Sequence, residues 1–139
     1  MVTEDVADEL LVAVGRFVRA TRAHADSLPP ARAQAMGYLS REGPQTIAWL
    51  AARHGVRHQS MSRIVGELES LGYVTRAANP SDARGFVLSL TAAGEAALDA
   101  DRAARRSWVA TAIDTRLTPA ERAILRAVPT LLDRLAADD

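Results

Sequence analysis

The sequence predicts a mainly α-helical fold carrying one small β-hairpin, and three observations predict it. Alanine supplies 28 of the 139 residues, a composition that favours helices packed closely through small side chains. Apolar residues recur every three or four positions in the segments at either end and in the middle, which is the helical period. Only after Gly72 does the texture change, to two β-prone runs around a polar tip. Aromatic residues are 4% of the chain and cysteine is absent, which excludes a disulfide framework, a thiolate nucleophile and Cys-ligated zinc. The length suits one domain, or one domain with dimerisation arms.

Each element has a local reason. Helix 1 is expected over about residues 4–24, because Val6, Leu10, Val14, Phe17 and Val18 share a face and acids fill the first turn, with Thr3 as N-cap. Ser27-Leu28-Pro29-Pro30 stops it, and Pro30 suits the first turn of helix 2, which runs to about Arg41 before Gly43-Pro44. Thr46 caps a short helix 3, Ile47 to His54, closed by Gly55. After the Val56-Arg57 turn, helix 4 runs from about His58 to Ser70 and closes at Gly72. Two short helices joined in this way form the helix-turn-helix pattern. Strands at Tyr73 to Arg76 and Phe86 to Leu90 flank the turn-forming Asn79-Pro80-Ser81-Asp82. Thr91 starts a long helix over about residues 92–114. The last helix opens on the capping box Thr118-Pro119-Ala120-Glu121. Its stripe of Ile124, Leu125, Val128, Leu131, Leu132 and Leu135 is expected to be buried, with a kink near Leu125 to Val128 because Pro129 cannot donate to the Leu125 carbonyl.

The fold class is therefore mainly α with a small β-wing: a winged helix-turn-helix flanked by N- and C-terminal dimerisation helices. A single domain spans 1–139, divided into dimerisation helices at 1–29 and 115–139, the winged helix-turn-helix at 30–90 and a long connecting helix at 91–114. At 100° per residue, Met61, Ile64, Val65, Leu68 and Leu71 of helix 4 fall on one face, while Gln59, Ser62, Arg63, Gly66 and Ser70 fall opposite. The presented face holds what a major-groove reader needs: Arg63 for guanine, Gln59 for adenine, and Ser60 or Ser62 for a base edge or phosphate. The whole chain has 17 basic and 17 acidic side chains, so any electrostatic footprint is local. Residues 44–90 carry Arg53, Arg57, Arg63, Arg76 and Arg84 against Glu67, Glu69 and Asp82, with His54 and His58 nearby. All 17 basic residues are arginine, which removes lysine-based Schiff-base and P-loop chemistry.

The sequence resembles the MarR family of winged-helix transcription regulators. The resemblance rests on Thr46-Ile47-Ala48-Trp49-Leu50-Ala51, on Gly55-Val56, and on Gln59-Ser60-Met61-Ser62-Arg63-Ile64-Val65 with Leu68-Glu69 and Leu71-Gly72-Tyr73-Val74. It continues into Asp82-Ala83-Arg84 at the hairpin tip and Leu88-Ser89-Leu90-Thr91-Ala92-Ala93-Gly94, the more specific part. It implies an obligate homodimer joined by helix 1 and the last two helices, with wings reaching along DNA. The chain departs from the family at Arg57, where a capping Ser or Thr is frequent, and at Trp49, where Glu is frequent. By resemblance and by chemistry Arg84 enters the minor groove, and Asp82, an acceptor repelled by phosphate, holds an arginine in position. Gln45 and Thr46 are phosphate-contact candidates at the start of helix 3. The expected DNA-binding set is Gln45, Thr46, Arg57, His58, Gln59, Ser60, Ser62, Arg63, Arg76, Asp82 and Arg84.

The expected partners are double-stranded DNA, a second copy of the chain, which would bury Val14, Leu131, Leu132 and Leu135, and a small phenolic or anionic effector. Met36, Tyr38, Trp49 and Trp108 are candidate effector-lining residues that core packing also explains, and Phe17 and Trp108 also suit core or dimer seam. The expected activity is repression of pseudo-palindromic operators, relieved by the effector. No enzyme is expected, since no nucleophile with a base, metal cluster or phosphate loop occurs. No cofactor or metal is expected either, because Gly55 breaks the helix between His54 and His58. Arg102, Arg105 and Arg106 with Asp99 and Asp101 are expected to form an interhelical charge network rather than a second basic patch. His24 is expected at the surface. No apolar run reaches membrane-spanning length and the N-terminus opens on acids, so no membrane and a cytoplasmic location are expected. The competing reading is a winged-helix protein-protein interaction module without specific DNA binding, supported by the zero net charge and by Glu67 and Glu69 on helix 4.

Overall fold

The structure, a computed structural model, describes residues 2–25 and 27–138. Its elements follow the order α1 (Val2–Ala25), α2 (Pro30–Glu42), α3 (Ile47–His54), α4 (His58–Ser70), β1 (Val74–Asn79), β2 (Asp82–Leu90), α5 (Ala92–Arg116), α6 (Pro119–Leu125) and α7 (Val128–Ala136). The mainly helical class with one antiparallel two-stranded wing is thus the observed one. Two compact units divide the chain within α5, Met1–Arg105 and Arg106–Asp139. Among the described residues, no helix is long and apolar enough to cross a membrane.

In the first unit the core lies between Leu28 and Leu98. Ala35, Met36 and Leu39 of α2 meet Ile47, Leu50 and Ala51 of α3 and Met61, Ile64, Val65 and Leu68 of α4, with Val74 and Leu88 of the wing closing the cluster. Gly55 ends α3 in the left-handed conformation (φ 68°), and the Val56 amide donates to the Ala51 carbonyl at 3.1 Å, so the chain turns sharply into α4. Thr46 caps α3 by accepting from the Trp49 amide at 3.0 Å. The wing pairs Val74 with Leu90 through Ala78 with Phe86, then shifts register so that Asn79 faces Asp82 across Pro80 and Ser81.

The wing is joined to its surroundings at both ends. Gln45, ahead of α3, exchanges backbone hydrogen bonds with Leu88 of β2 at 3.1 and 2.8 Å, which no local sequence signal announces. At the other end the Thr91 amide donates to the Tyr73 carbonyl at 3.0 Å, and the Thr91 hydroxyl donates to the Gly72 carbonyl and accepts from the Gly94 amide. A Cβ on Gly94 would collide with the Tyr73 carbonyl oxygen and lie 3.0 Å from Leu90 Cδ2. The Leu90-Thr91-x-x-Gly94 spacing is therefore a joint: threonine caps α5 while glycine lets the helix approach the turn after α4.

Several expectations need correction. Thr3 lies inside α1, which begins at Val2, so it does not cap that helix. The α1 stripe is largely uncovered within this chain, with Val6 at 56% and Phe17 at 52% exposed. The C-terminal stripe, whose cover is expected from a second copy of the chain, is likewise uncovered within this single chain: α6 and α7 contain no buried residue, and Ile124 and Leu135 are 70% and 72% exposed. Leu71 leaves the core face because α4 ends at Ser70, putting it at the C-cap. Both strands are longer than their β-prone runs, since antiparallel pairing carries Ala77 to Asn79 and Asp82 to Gly85 along despite modest propensity. Where a kink within one final helix is expected near Leu125 to Val128, the helix is interrupted outright, α6 stopping at Leu125 and α7 restarting at Val128. Thr118 and Glu121 make the full capping box at the head of α6.

Candidate nucleic-acid interface

The presented face of α4 is set by the core beneath it. Met61, Ile64, Val65 and Leu68 are buried, so rotation about the helix axis leaves His58, Gln59 and Arg63 exposed, with Ser60 and Ser62 half-buried beside them. Arg57 stands at the N-cap in extended backbone and makes no side-chain cap. Its exposed guanidinium therefore projects at the start of the helix without a capping role. Ser62 Oγ lies 3.5 Å from His58 Nδ1, one turn apart.

Both acids of α4 are engaged inside the chain, a feature that sequence alone did not reveal. Glu67 takes Nε and Nη2 of Arg32 from α2 at 3.1 and 3.0 Å. Glu69 takes Nε and Nη2 of Arg76 from β1 at 2.8 and 2.7 Å. Arg76 also lies 4.2 Å above the Phe86 ring, and the carboxylate of Glu69 raises its pKa above the ordinary arginine value. Arg76 thus braces the wing against α4. The negative charges that spoke for a protein-docking face are offset by arginines of the same chain.

At the wing tip Asn79 Oδ1 accepts from the Ser81 amide and Asp82 Oδ1 accepts from the Arg84 amide, each at 3.0 Å. Asp82 therefore positions the backbone of Arg84, two residues on, and leaves the exposed guanidinium to project. Gln45 and Thr46 are half-buried: Gln45 Nε2 donates to the Glu42 carbonyl at 3.4 Å, and Thr46 Oγ1 is the α3 cap. Arg57, His58, Gln59 and Arg63 share the N-terminal half of α4, Arg84 stands near the hairpin tip, and Arg76 on β1 is tied to Glu69 near the other end of α4.

Other singled-out residues have structural partners. Met36 is fully buried core; Tyr38 and Trp49 meet edge to face at 6.0 Å, with Arg53 4.8 Å above Trp49. The Tyr38 hydroxyl donates to the Arg53 carbonyl at 3.2 Å. Among the described residues no three His, Cys, Asp or Glu side chains group as metal ligands. Asp101 pairs with Arg105 on its own helix and fastens the turn before α2. It is wholly buried, with Oδ1 accepting from the Ser27 amide, the Ser27 hydroxyl and the Leu28 amide at 2.8–3.1 Å, and Oδ2 3.1 Å from Arg105 on its own helix.

This geometry can be set beside known proteins. A MarR family model matches residues 26–85. Over 129 residues the chain is 36% identical to the HTH-type transcriptional regulator Mb0904 of Mycobacterium bovis, covering 91% of this chain and 90% of that one. The chain belongs to the MarR family. Solved structures match nearly the full chain: a transcriptional regulator protein of Pseudomonas aeruginosa PA01 superposes with a TM-score of 0.87 at 29% identity, covering 99% and 98% of the two chains. Rv1404 of Mycobacterium tuberculosis gives 0.78 at 25% identity, covering 97% and 95%. Escherichia coli MarR, at 22% identity and 0.69 over 88% and 96%, shares the fold. As a MarR-family protein the chain is a helix-turn-helix transcriptional regulator and not an enzyme.

Proposed function

We propose that the chain works as a homodimer that binds pseudo-palindromic operators sequence-specifically and represses transcription until a small ligand releases it. The observation that carries this reading is the α4 face: Gln59 and Arg63 are exposed while Glu67 and Glu69 are neutralised by Arg32 and Arg76. On this reading Gln59 and Arg63 read base edges in the major groove, assisted by Ser60 and Ser62. Arg57, His58, Gln45 and Thr46 border the phosphates, and Arg84, set by Asp82, enters the minor groove. Arg76 acts as a brace between wing and helix.

Dimerisation is supported by the uncovered apolar stripes of α1, α6 and α7, where Phe17, Ile124, Leu131 and Leu135 are half exposed or more. Residues 1–29 and 115–139 would then be the dimerisation helices, 30–90 the DNA-binding part and 91–114 the connection. A ligand would act by preferring one spacing of the two recognition helices over another.

The test is recovery of short genomic fragments by the purified protein at about 0.1 M salt, followed by sequencing. An enriched inverted repeat is expected. Retention without a motif would overturn sequence specificity, and no retention would overturn DNA binding. Arginine-phosphate contacts make the affinity fall steeply with log salt. An interaction insensitive to salt would instead favour an apolar protein partner.

A further inference from the structure

The two acids of α4 stand differently toward its presented face. At 100° per residue, Glu67 lies about 40° round the helix axis from Arg63 and one turn further on, whereas Glu69 lies about 120° away. Side chains at i and i+4 come within about 5–6 Å at Cβ, close enough for a carboxylate to take a guanidinium. Glu67 is therefore the acid of α4 placed to capture Arg63. In the structure the capture does not occur. Nε and Nη2 of Arg32 both close on Glu67 Oε2, at 3.1 and 3.0 Å, and Arg63 has no ion-pair partner among the described residues.

The position of Arg32 fits this pairing. It precedes Ala35, Met36 and Leu39 at the three- and four-residue spacing of the buried α2 stripe, so the packing that sets α2 against α4 also brings Arg32 to that helix. It sits in the first turn of α2, where the helix dipole disfavours a cation and where no acid of the same turn offsets it. The offsetting carboxylate comes from α4. With side chains 29% and 41% exposed, Arg32 and Glu67 make a weak clamp. The importance of the pair lies in which guanidinium the carboxylate holds.

We propose that Arg32 is a positioning residue for sequence reading: it occupies Glu67 and so leaves Arg63 free to meet a base edge. The inference rests on the DNA-binding reading above and adds a residue outside the DNA-facing set. Without Arg32 the Glu67 carboxylate turns to Arg63, and DNA must break that pair before Arg63 enters the groove. The carboxylate left over then faces phosphate, a juxtaposition of like charges.

Binding of the full-length protein to a duplex carrying the inverted repeat recovered from genomic fragments, at fixed salt, tests this. Arg32→Gln is expected to bind about fivefold more weakly than the parent, roughly twofold from the Arg63–Glu67 pair and the rest from the unpaired carboxylate. Glu67→Gln is expected to bind at least as tightly as the parent, and the double variant Arg32→Gln/Glu67→Gln to return within about twofold of it, because a neutral amide cannot hold Arg63 as an ion pair. Arg32→Lys, which keeps a charge on Glu67, is expected to stay within about twofold as well. A strut that merely fastened α2 to α4 would give the opposite pattern, with Glu67→Gln and the double variant as weak as Arg32→Gln, and that pattern would overturn the proposal. Parent affinity in Arg32→Gln would overturn it too.

The Arg63 Nε–H resonance of the DNA-free protein, assigned by its loss in Arg63→Ala, gives a second readout. Its exchange with water is expected to slow in Arg32→Gln and to recover in the double variant; an unchanged rate in Arg32→Gln would overturn the capture. Failure of the DNA reading looks different: no duplex is retained, or Arg63→Ala binds like the parent, while this resonance still responds to Arg32→Gln.

Discussion

The winged part of the chain and its outer helices are built from the same helical periodicity and end differently. In α4 the stripe Met61, Ile64, Val65 and Leu68 is sealed by α2, α3 and the wing, each residue 8% exposed or less. In α7 the stripe leaves Leu131 and Leu135 50% and 72% exposed, and α1 leaves Phe17 and Val6 in the same condition. A periodic stripe says which face seeks cover; it does not say whether the cover lies in the same chain. Here the first region closes on itself, and the second carries apolar surface of the kind that associates.

The sharpest way to break the closed region is Gly94→Ala. Its methyl would meet the Tyr73 carbonyl, so a loss of about 3 kcal/mol is expected in denaturant unfolding; a change below about 1 kcal/mol would mean the joint is slack. For the open region, Leu131→Glu with Leu135→Glu is expected to turn a dimer into a monomer by sedimentation while the winged part still unfolds within about 0.5 kcal/mol of the parent. Persistence of the dimer would show that another surface joins the copies. Arg84→Ala touches neither core nor stripe. It is expected to weaken operator binding about tenfold with the dimer intact, and unchanged affinity would remove the wing from recognition. Thr118→Ala is smaller again, about 1 kcal/mol confined to the head of α6, read by faster amide exchange at Glu121.

The smallest effect is a pH dependence at the same cap. The Thr118 amide donates to Glu121 Oε1 at 2.9 Å, and these bonds with Thr118 hold the Glu121 carboxyl below the ordinary glutamate range. With its folded pKa depressed, the cap contributes fully above the unfolded-state pKa and is lost as pH falls through the folded one. An NMR titration of the Thr118 amide should follow that lower midpoint; a midpoint at the ordinary glutamate value would mean that the box is open in solution.

Most of the fold was legible because its signals are local. Thr46, Gly55 and the Thr118 box each act within four residues, and helix 3 and helix 4 fall where caps and glycines place them. The polar half of the candidate site was legible too, since a buried stripe dictates what faces outward. What escaped were pairings across sequence. Asp101 meets Ser27 across 74 positions, Gln45 bridges to Leu88, and Arg32 reaches Glu67. No propensity or spacing encodes such partners; they exist only once packing has brought the backbone together. For the same reason spacing on α5 announces that Arg105 can pair with Asp101 four residues back, but not that the other oxygen of Asp101 fastens the Ser27 turn.

The ion pair between Arg76 and Glu69 has a consequence for how changes in the wing would be felt. Truncating Arg76 removes one positive charge from the hairpin and also unmasks a carboxylate on α4, so a single substitution withdraws an attraction and installs a repulsion. A polyanion approaching that helix would meet a local field altered by more than the deleted charge alone. Variation at position 76 would then act as a gain control on the neighbouring helix, adjusting how strongly it is drawn to a phosphate backbone without altering Gln59 or Arg63, the residues proposed to meet base edges.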